Sequence, residues 1–203
     1  MDYLLKEFDF MHITFTDSEY TDMNIMSKYF TECNFENCNF TDSTFENCTF
    51  INCRFTKCNL SLVKIPHCHF DNNSFINCKM IGIDWTKARW RKSYSKKKSV
   101  FSNEFKDCIL DYSIFIELNL TGAKFIGCSV KEGSFEDSDM EKSDFTGTDL
   151  TDTIFKNTNL KKADFSKAKN YTINACVNNV TKSRFSIPEV FSLVRALDIE
   201  IID

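Results

Sequence analysis

The chain has 203 residues, 25 Lys and Arg against 29 Asp and Glu, and a formal charge of −4. Its 21 Phe exclude a disordered tail, and five Gly with two Pro exclude collagen-like chains, flexible linkers and a fold built on Gly and Pro turns. The small negative charge argues against a protein that binds phosphate backbones.

The start, Met1-Asp2-Tyr3-Leu4-Leu5-Lys6-Glu7, has neither the basic region nor the apolar stretch of a secretory signal, so a cytoplasmic location is expected. No apolar run approaches the ~18–20 residues that span a bilayer. In a reducing compartment the ten Cys are thiols or metal ligands rather than disulfides.

From Leu5 to Phe185 every fifth residue is large and apolar, except Ser95, Asn170 and Ala175. Eighteen of the 21 Phe lie in this register, and nine of the ten Cys lie two residues before it. The remaining occupants of that second position are mostly Ser, Thr, Ala or Gly. Neither a helix, which repeats near 3.6, nor a strand, which repeats at 2, explains a period of five. The pattern requires a chain that turns a corner every five residues, with one large side chain inward at the centre of each side and one small one beside the corner. Four sides close a square coil of about 20 residues, and coils stack at about 4.8 Å.

Cys33-Asn34-Phe35-Glu36-Asn37, Thr148-Asp149-Leu150-Thr151-Asp152 and Ala163-Asp164-Phe165-Ser166-Lys167 resemble the pentapeptide-repeat pattern of a small residue, Asp or Asn, Leu or Phe, and two variable residues. The resemblance covers roughly residues 5–185. It implies an all-β right-handed quadrilateral β-helix, here of about nine coils over 1–185, with residues 186–203 forming a C-terminal helix and tail. Spacing by 20 puts Phe75, Ser95 and Phe115 in one column and Trp85, Phe105 and Phe125 in the opposite one. It separates a Cys38/Cys58/Cys78 column from Cys108/Cys128. Neighbours in such columns, about 4.8 Å apart with parallel side chains, suit small apolar fillers with free thiols better than disulfides.

The repeat breaks in three places. Lys28 occupies an inward site and suggests an irregular early coil. Residues 87–99 hold seven Lys or Arg and no acid. Ser95 replaces a core residue there, and Lys98 would be an unpaired buried charge. A surface loop near 90–100 is expected, either a solvated connection or a partner-contact loop carrying Arg89, Arg91, Lys92, Lys96, Lys97 and Lys98. Between Lys167 and Asn179 the core register lapses, and the coil stack is expected to end.

Ser186-Ile187-Pro188-Glu189 then reads as a capping box, followed by Val190, Leu193, Val194 and Leu197 at helical spacing. A helix of about ten residues is expected to cap the solenoid. Its apolar surplus, with Val190, Phe191, Val194, Leu197 and Ile199, also fits a homodimer, and the family resemblance implies dimerisation through such a helix.

No nucleophile, base and orienting group assemble in the sequence, so no enzyme and no cofactor is expected. His67-Cys68-His69 is a poor metal set, because the two His flank an inward Cys. Charge is segmental: 1–80 is net −5, 81–106 net +6 and 107–203 net −5. Glu132, Glu136, Asp137, Asp139, Glu141, Asp144, Asp149 and Asp152 form an acidic belt about one coil tall. The resemblance to quinolone-resistance and toxin-immunity members implies a DNA mimic that engages DNA gyrase or topoisomerase IV. The alternative is a structural scaffold or adaptor for another protein. Direct nucleic-acid binding through the basic loop ranks last.

Overall fold

The computed structural model describes residues 7–90, 103–195 and 197. Strands of three residues each put one aromatic or aliphatic side chain inward, as in Thr14–Thr16 around Phe15 and Asn34–Glu36 around Phe35. They pair in parallel with the strand 20 residues on, which joins Phe15, Phe35, Phe55 and Phe75. Between sides the chain turns through a residue in the left-handed region, from His12 at φ 56° to Lys182 at φ 60°. Asn and Asp recur there because they tolerate this region best after Gly. That is how the fold turns corners with so few glycines.

Rings one coil apart stack with centroids close together, 4.5 Å for Phe35 and Phe55. Rings on adjacent sides meet edge to face, 5.5 Å and 77° for Phe135 and Phe145. Both arrangements favour the aromatic quadrupole beyond the area they bury.

The columns differ from the 20-residue expectation at one level. Phe75 pairs with Phe105, and Asp84 with Ile114, each thirty residues on. Trp85 accordingly stacks on Phe115 at 5.7 Å. The ten extra residues equal two quintets, so the fivefold register passes through unchanged while the twentyfold one shifts by half a turn. One column therefore runs Phe15, Phe35, Phe55, Phe75, Phe105, Phe125, Phe145, Phe165 and Phe185. The solenoid has about eight turns rather than nine, and a height of roughly 40 Å.

The same shift merges two cysteine columns. Cys38, Cys58, Cys78, Cys108 and Cys128 follow one inner corner, and the Cys78 amide donates to Cys108 Sγ at 3.4 Å. The nine in-register cysteines are buried and free, and Cys176 is free and exposed. They are more than apolar filler. Cys38 donates to Phe15 O at 3.4 Å and Cys58 to Phe35 O at 3.3 Å. At equivalent sites Ser138 Oγ accepts the Leu118 amide at 3.1 Å and donates to Phe115 O, while Asn73 bridges Cys53 N and Phe50 O. The small inward residue thus joins backbone groups of the preceding coil that the corner leaves without ladder partners.

Two expected breaks are absent. Lys28 is buried, donates to Glu7 O and lies 4.7 Å from the Phe8 ring centroid, while Ile25 and Phe30 keep their core places. The stem covers the first coil and the ammonium finds acceptors at its rim. Between Lys167 and Asn179 the coil continues: exposed Asn170 turns left-handed, Tyr171 and Ile173 become buried, and the ladder resumes through Asn159 and Asn179 to Phe185.

The C-terminal helix is shorter than expected, Phe191–Arg195. Ser186 is not its capping side chain. The Ser186 carbonyl accepts Val190 N at 3.1 Å, and its hydroxyl accepts Lys167 N at 2.9 Å. Leu193 packs on the core. Among the described residues no helix is long and apolar enough to cross a membrane.

Candidate interaction surface

Among the described residues the interior is filled by side chains. Between Phe50, Met80 and Trp85 a gap of about 10 Å³ remains, at the lower limit for one water. For the Cys78 thiol, burial also argues against nucleophilic use. The adjoining Cys108 sulfur and desolvation push the Cys78 thiol up to about 12, and a thiol is a poor nucleophile when protonated. Cys68 faces the core, His67 stands at an exposed corner, and His69 Nδ1 lies 3.4 Å from Arg89 O. Among the described residues no three His, Cys, Asp or Glu side chains converge as a metal site.

The acidic belt does encircle the rod, but its members differ. Glu136 meets Lys156 at 2.8 Å, Asp149 meets Lys131 at 3.2 Å, and Glu141 meets Lys161 at 3.7 Å. Hydrogen bonding to Glu136 raises the Lys156 pKa. Asp139 accepts Asn159 Nδ2 at 2.7 Å, and Asp144 accepts Thr146 N at 2.9 Å. Burial would raise the Asp149 carboxyl, but hydrogen bonds from Thr151, Asn170 and Lys131 outweigh it and hold it at about 2. These groups mainly brace successive coils. Glu132, Asp137 and Asp152 instead stand exposed at corners. The 20-residue step stacks Glu132 with Asp152 along one corner, and Asp137 with exposed Glu117 along the next. Glu132 also accepts the Tyr112 hydroxyl, which raises that phenol's pKa.

Of the basic set, Arg89 is tied down: its Nη2 donates to Asn47 Oδ1, two coils away, at 2.9 Å. That partner is uncharged, and Arg89 has no ion pair among the described residues. Arg91, Lys92, Lys96, Lys97 and Lys98 lie outside the described residues. In the C-terminal set, Phe191 and Leu197 are exposed, Val190 and Val194 half-buried, and Ile199 lies outside the described residues.

A groove on the side below Ile114 was not anticipated. It measures about 610 Å³ and is lined by Asp42, Leu62, Val63, Lys64, Ile65, Pro66, Gly82, Asp84 and Lys87. One coil lower the ladder is closed, with Phe45 N donating to Lys64 O at 2.8 Å and Lys64 N to Ser43 O at 2.9 Å. The corresponding Ile65 and Asp84 amides have no such bond among the described residues. The cause is local. Asp84 caps a 3₁₀ turn over Trp85–Lys87, with its carboxylate accepting Thr86 N at 3.0 Å. The turn moves the next ladder bond on by one residue, to His67 N on Lys87 O. Asp84, Thr86 and Pro66 are the sequence signals that mark this irregularity.

The family model for the pentapeptide repeat region matches residues 27–100 and 97–165. Among curated proteins, none matches the sequence. Among solved structures, the chain is similar to HetL, a pentapeptide repeat protein involved in heterocyst differentiation regulation from the cyanobacterium Nostoc sp. strain PCC 7120. The identity is 10%, the TM-score 0.62, and the match covers 87% of this chain and 84% of that one. It is also similar to a trypsin-treated QnrB1, a plasmid-mediated fluoroquinolone resistance protein, at 16% identity and TM-score 0.50 over 96% and 100% of the two chains. At these identities the likeness concerns the fold alone.

Proposed function

The chain belongs to the pentapeptide repeat family, and from that premise we propose that it is a non-catalytic binding rod whose acidic corners engage the DNA-binding surface of a type II topoisomerase. The observation that carries this reading is the pair of stacked corners, Glu132 over Asp152 and Glu117 over Asp137. Like charges held one coil apart, about 4.8 Å, repel each other until a cation comes between them. A basic saddle supplies such cations, and a rigid rod presents the carboxylates without ordering cost. Two copies joined through Phe191 and Leu197 would double the length of the rod.

The test is a gyrase supercoiling assay with and without ciprofloxacin. The expected result is protection from the drug or inhibition of supercoiling, reduced when Asp137 and Asp152 become Asn. Neither effect at tens of micromolar protein would remove the topoisomerase reading.

The compensated members of the belt favour a second reading. Because Glu136, Glu141 and Asp149 are spent on Lys156, Lys161 and Lys131, the rod presents less anionic charge than its sequence suggests. A scaffold for a different protein partner accommodates that economy. A cytoplasmic pull-down that lacks topoisomerase subunits and reproducibly holds one other protein would support it.

A further inference from the structure

We infer that the side of the rod running from Asp137 to Lys142 is a self-association surface, on which a second copy of this chain packs alongside with the two rods parallel. The inference rests neither on the topoisomerase reading nor on the C-terminal helix.

The two edges of this side carry opposite charge. Glu117 and Asp137 stand along one corner, and Lys142, Lys162 and Lys182 along the next, all exposed and all in the left-handed region. The coil step of about 4.8 Å spaces both columns alike. Among the described residues no ion pair involves Glu117, Asp137, Lys162 or Lys182, while Lys142 reaches Glu141 at 3.9 Å. Asp137 also acts at longer range on Lys156, whose own partner is Glu136 at 2.8 Å.

Between the edges the side is built mainly of short polar chains that already satisfy one another. Asn159 Nδ2 donates to Asp139 Oδ1 at 2.7 Å, Asn179 Nδ2 to Asn159 Oδ1 at 3.0 Å, and Thr121 Oγ1 to Asn119 Oδ1 at 2.8 Å. Glu141 also meets Lys161 at 3.7 Å. A partner can therefore close on this side without stranding these groups. Over 117–122, 137–142, 157–162 and 177–182 there are four acids and four bases. A neutral side in a chain of net charge −4 is where a second copy approaches with little repulsion.

Symmetry then selects the arrangement. A two-fold axis along the rods sets the acidic corner of each copy against the basic corner of the other, twice, and closes the pair. A two-fold axis across the rods would set acid against acid. Rotation about the lengthwise axis permits no sliding, so the heights are fixed. Lys142 faces Asp137 of the second copy on the same coil and lies one coil above its Glu117. Lys162 lies one coil above that Asp137, and Lys182 two. Exposed ion pairs are individually weak, so the pair forms at low salt and is screened at high salt.

The test is sedimentation velocity of the full chain over a concentration series at low and high salt. The sedimentation coefficient is expected to rise with concentration at low salt, and less so at high salt. Lys142→Glu with Lys162→Glu should weaken self-association about tenfold, and so should Glu117→Lys with Asp137→Lys, because each sets like charges together on both edges. Mixing the two variants should restore association, since one then offers two basic edges and the other two acidic ones. Lys182→Glu, too high to meet the acids, should change it by less than about twofold. Lys and Glu both already occupy left-handed corners here, so the exchanges fit the backbone, and an unchanged circular dichroism spectrum checks it. If a double variant fails to fold, Lys162→Glu and Asp137→Lys carry the same mixing test.

Sedimentation independent of concentration overturns the proposal. So does association indifferent to salt and to charge reversal, as an apolar contact through Phe191 and Leu197 would give, and so do mixed variants that stay apart. Salt-sensitive binding of a DNA duplex that Lys142→Glu with Lys162→Glu abolishes, without self-association, replaces the second copy by nucleic acid. Absence of a gyrase response removes the topoisomerase reading and leaves these expectations unchanged.

Discussion

The Ser186 hydroxyl accepts the Lys167 amide at 2.9 Å, in the place where a backbone carbonyl closes every lower coil. At the equivalent corner three coils below, the geometry is ordinary: Asp107 N donates to Ile126 O at 2.9 Å. Ser186 turns its own carbonyl to the helix and gives its side chain to the ladder. One residue thereby serves the end of the solenoid and the start of the helix. Ser186→Ala should speed hydrogen exchange at the Lys167 amide, while Ser186→Thr should leave it near the unaltered rate. Because Lys167 is exposed, the global unfolding midpoint should hardly move.

Phe135→Ala should destabilise the rod by about 3–5 kcal/mol in chemical denaturation, because its stacked and edge-on neighbours cannot collapse into the cavity. Glu136→Ala, one residue on and facing water, should shift the midpoint little even though it breaks the contact with Lys156. Equal effects from the two would contradict the inward and outward assignment.

Ser138→Ala should cost about 1–3 kcal/mol, since the Leu118 amide and the Phe115 carbonyl both lose a buried partner. Ser138→Cys, which keeps a weaker donor and acceptor at the site, should be milder. The ordering separates a bridging role from simple space filling, under which Ala would be harmless.

Asp149 predicts an acid-side loss of stability. Its folded value of about 2 lies below the reference of 3.8, so the stabilisation is fully present above the reference and fades as pH falls toward 2. Asp149→Asn should flatten the thermal midpoint between pH 5 and pH 2 relative to the unaltered chain. An unchanged slope would mean that the Lys131, Thr151 and Asn170 contacts are not maintained in solution.

Iodoacetamide should label Cys176 alone in the native protein and all ten cysteines after unfolding, read by mass spectrometry. The adjoining Cys128 sulfur and burial push the Cys108 thiol up to about 12, and its column mates are equally enclosed. Native labelling of Cys108 would show that the column opens.

Among the described residues from Phe10 to Phe165 the fivefold register made the inward residues legible, because each side must bury one side chain to close the square. The pairing of columns was not legible. The register counts in fives, and an insertion of two quintets leaves that count intact while changing which residues touch. Ser186 misled for a similar reason: the capping pattern is local, whereas the amide it satisfies lies nineteen positions earlier. The acidic belt was legible as composition, but the cations that neutralise Glu136, Glu141 and Asp149 come from neighbouring coils. The groove followed from two missing ladder bonds, which leave no periodic trace.

The half-turn shift above Trp85 gives the rod two reading frames. Below it, a position on the Phe15 side is found by adding multiples of twenty to fifteen; above it, by adding them to one hundred and five. A coil transplanted from the lower half to the upper by sequence spacing alone would arrive facing the wrong way, with its surface charges on the opposite wall. Its core would pack nonetheless, because the inward positions are interchangeable at every fifth residue. Stability and surface pattern are thus encoded on separate clocks in this chain, and a change of length can reset one without disturbing the other.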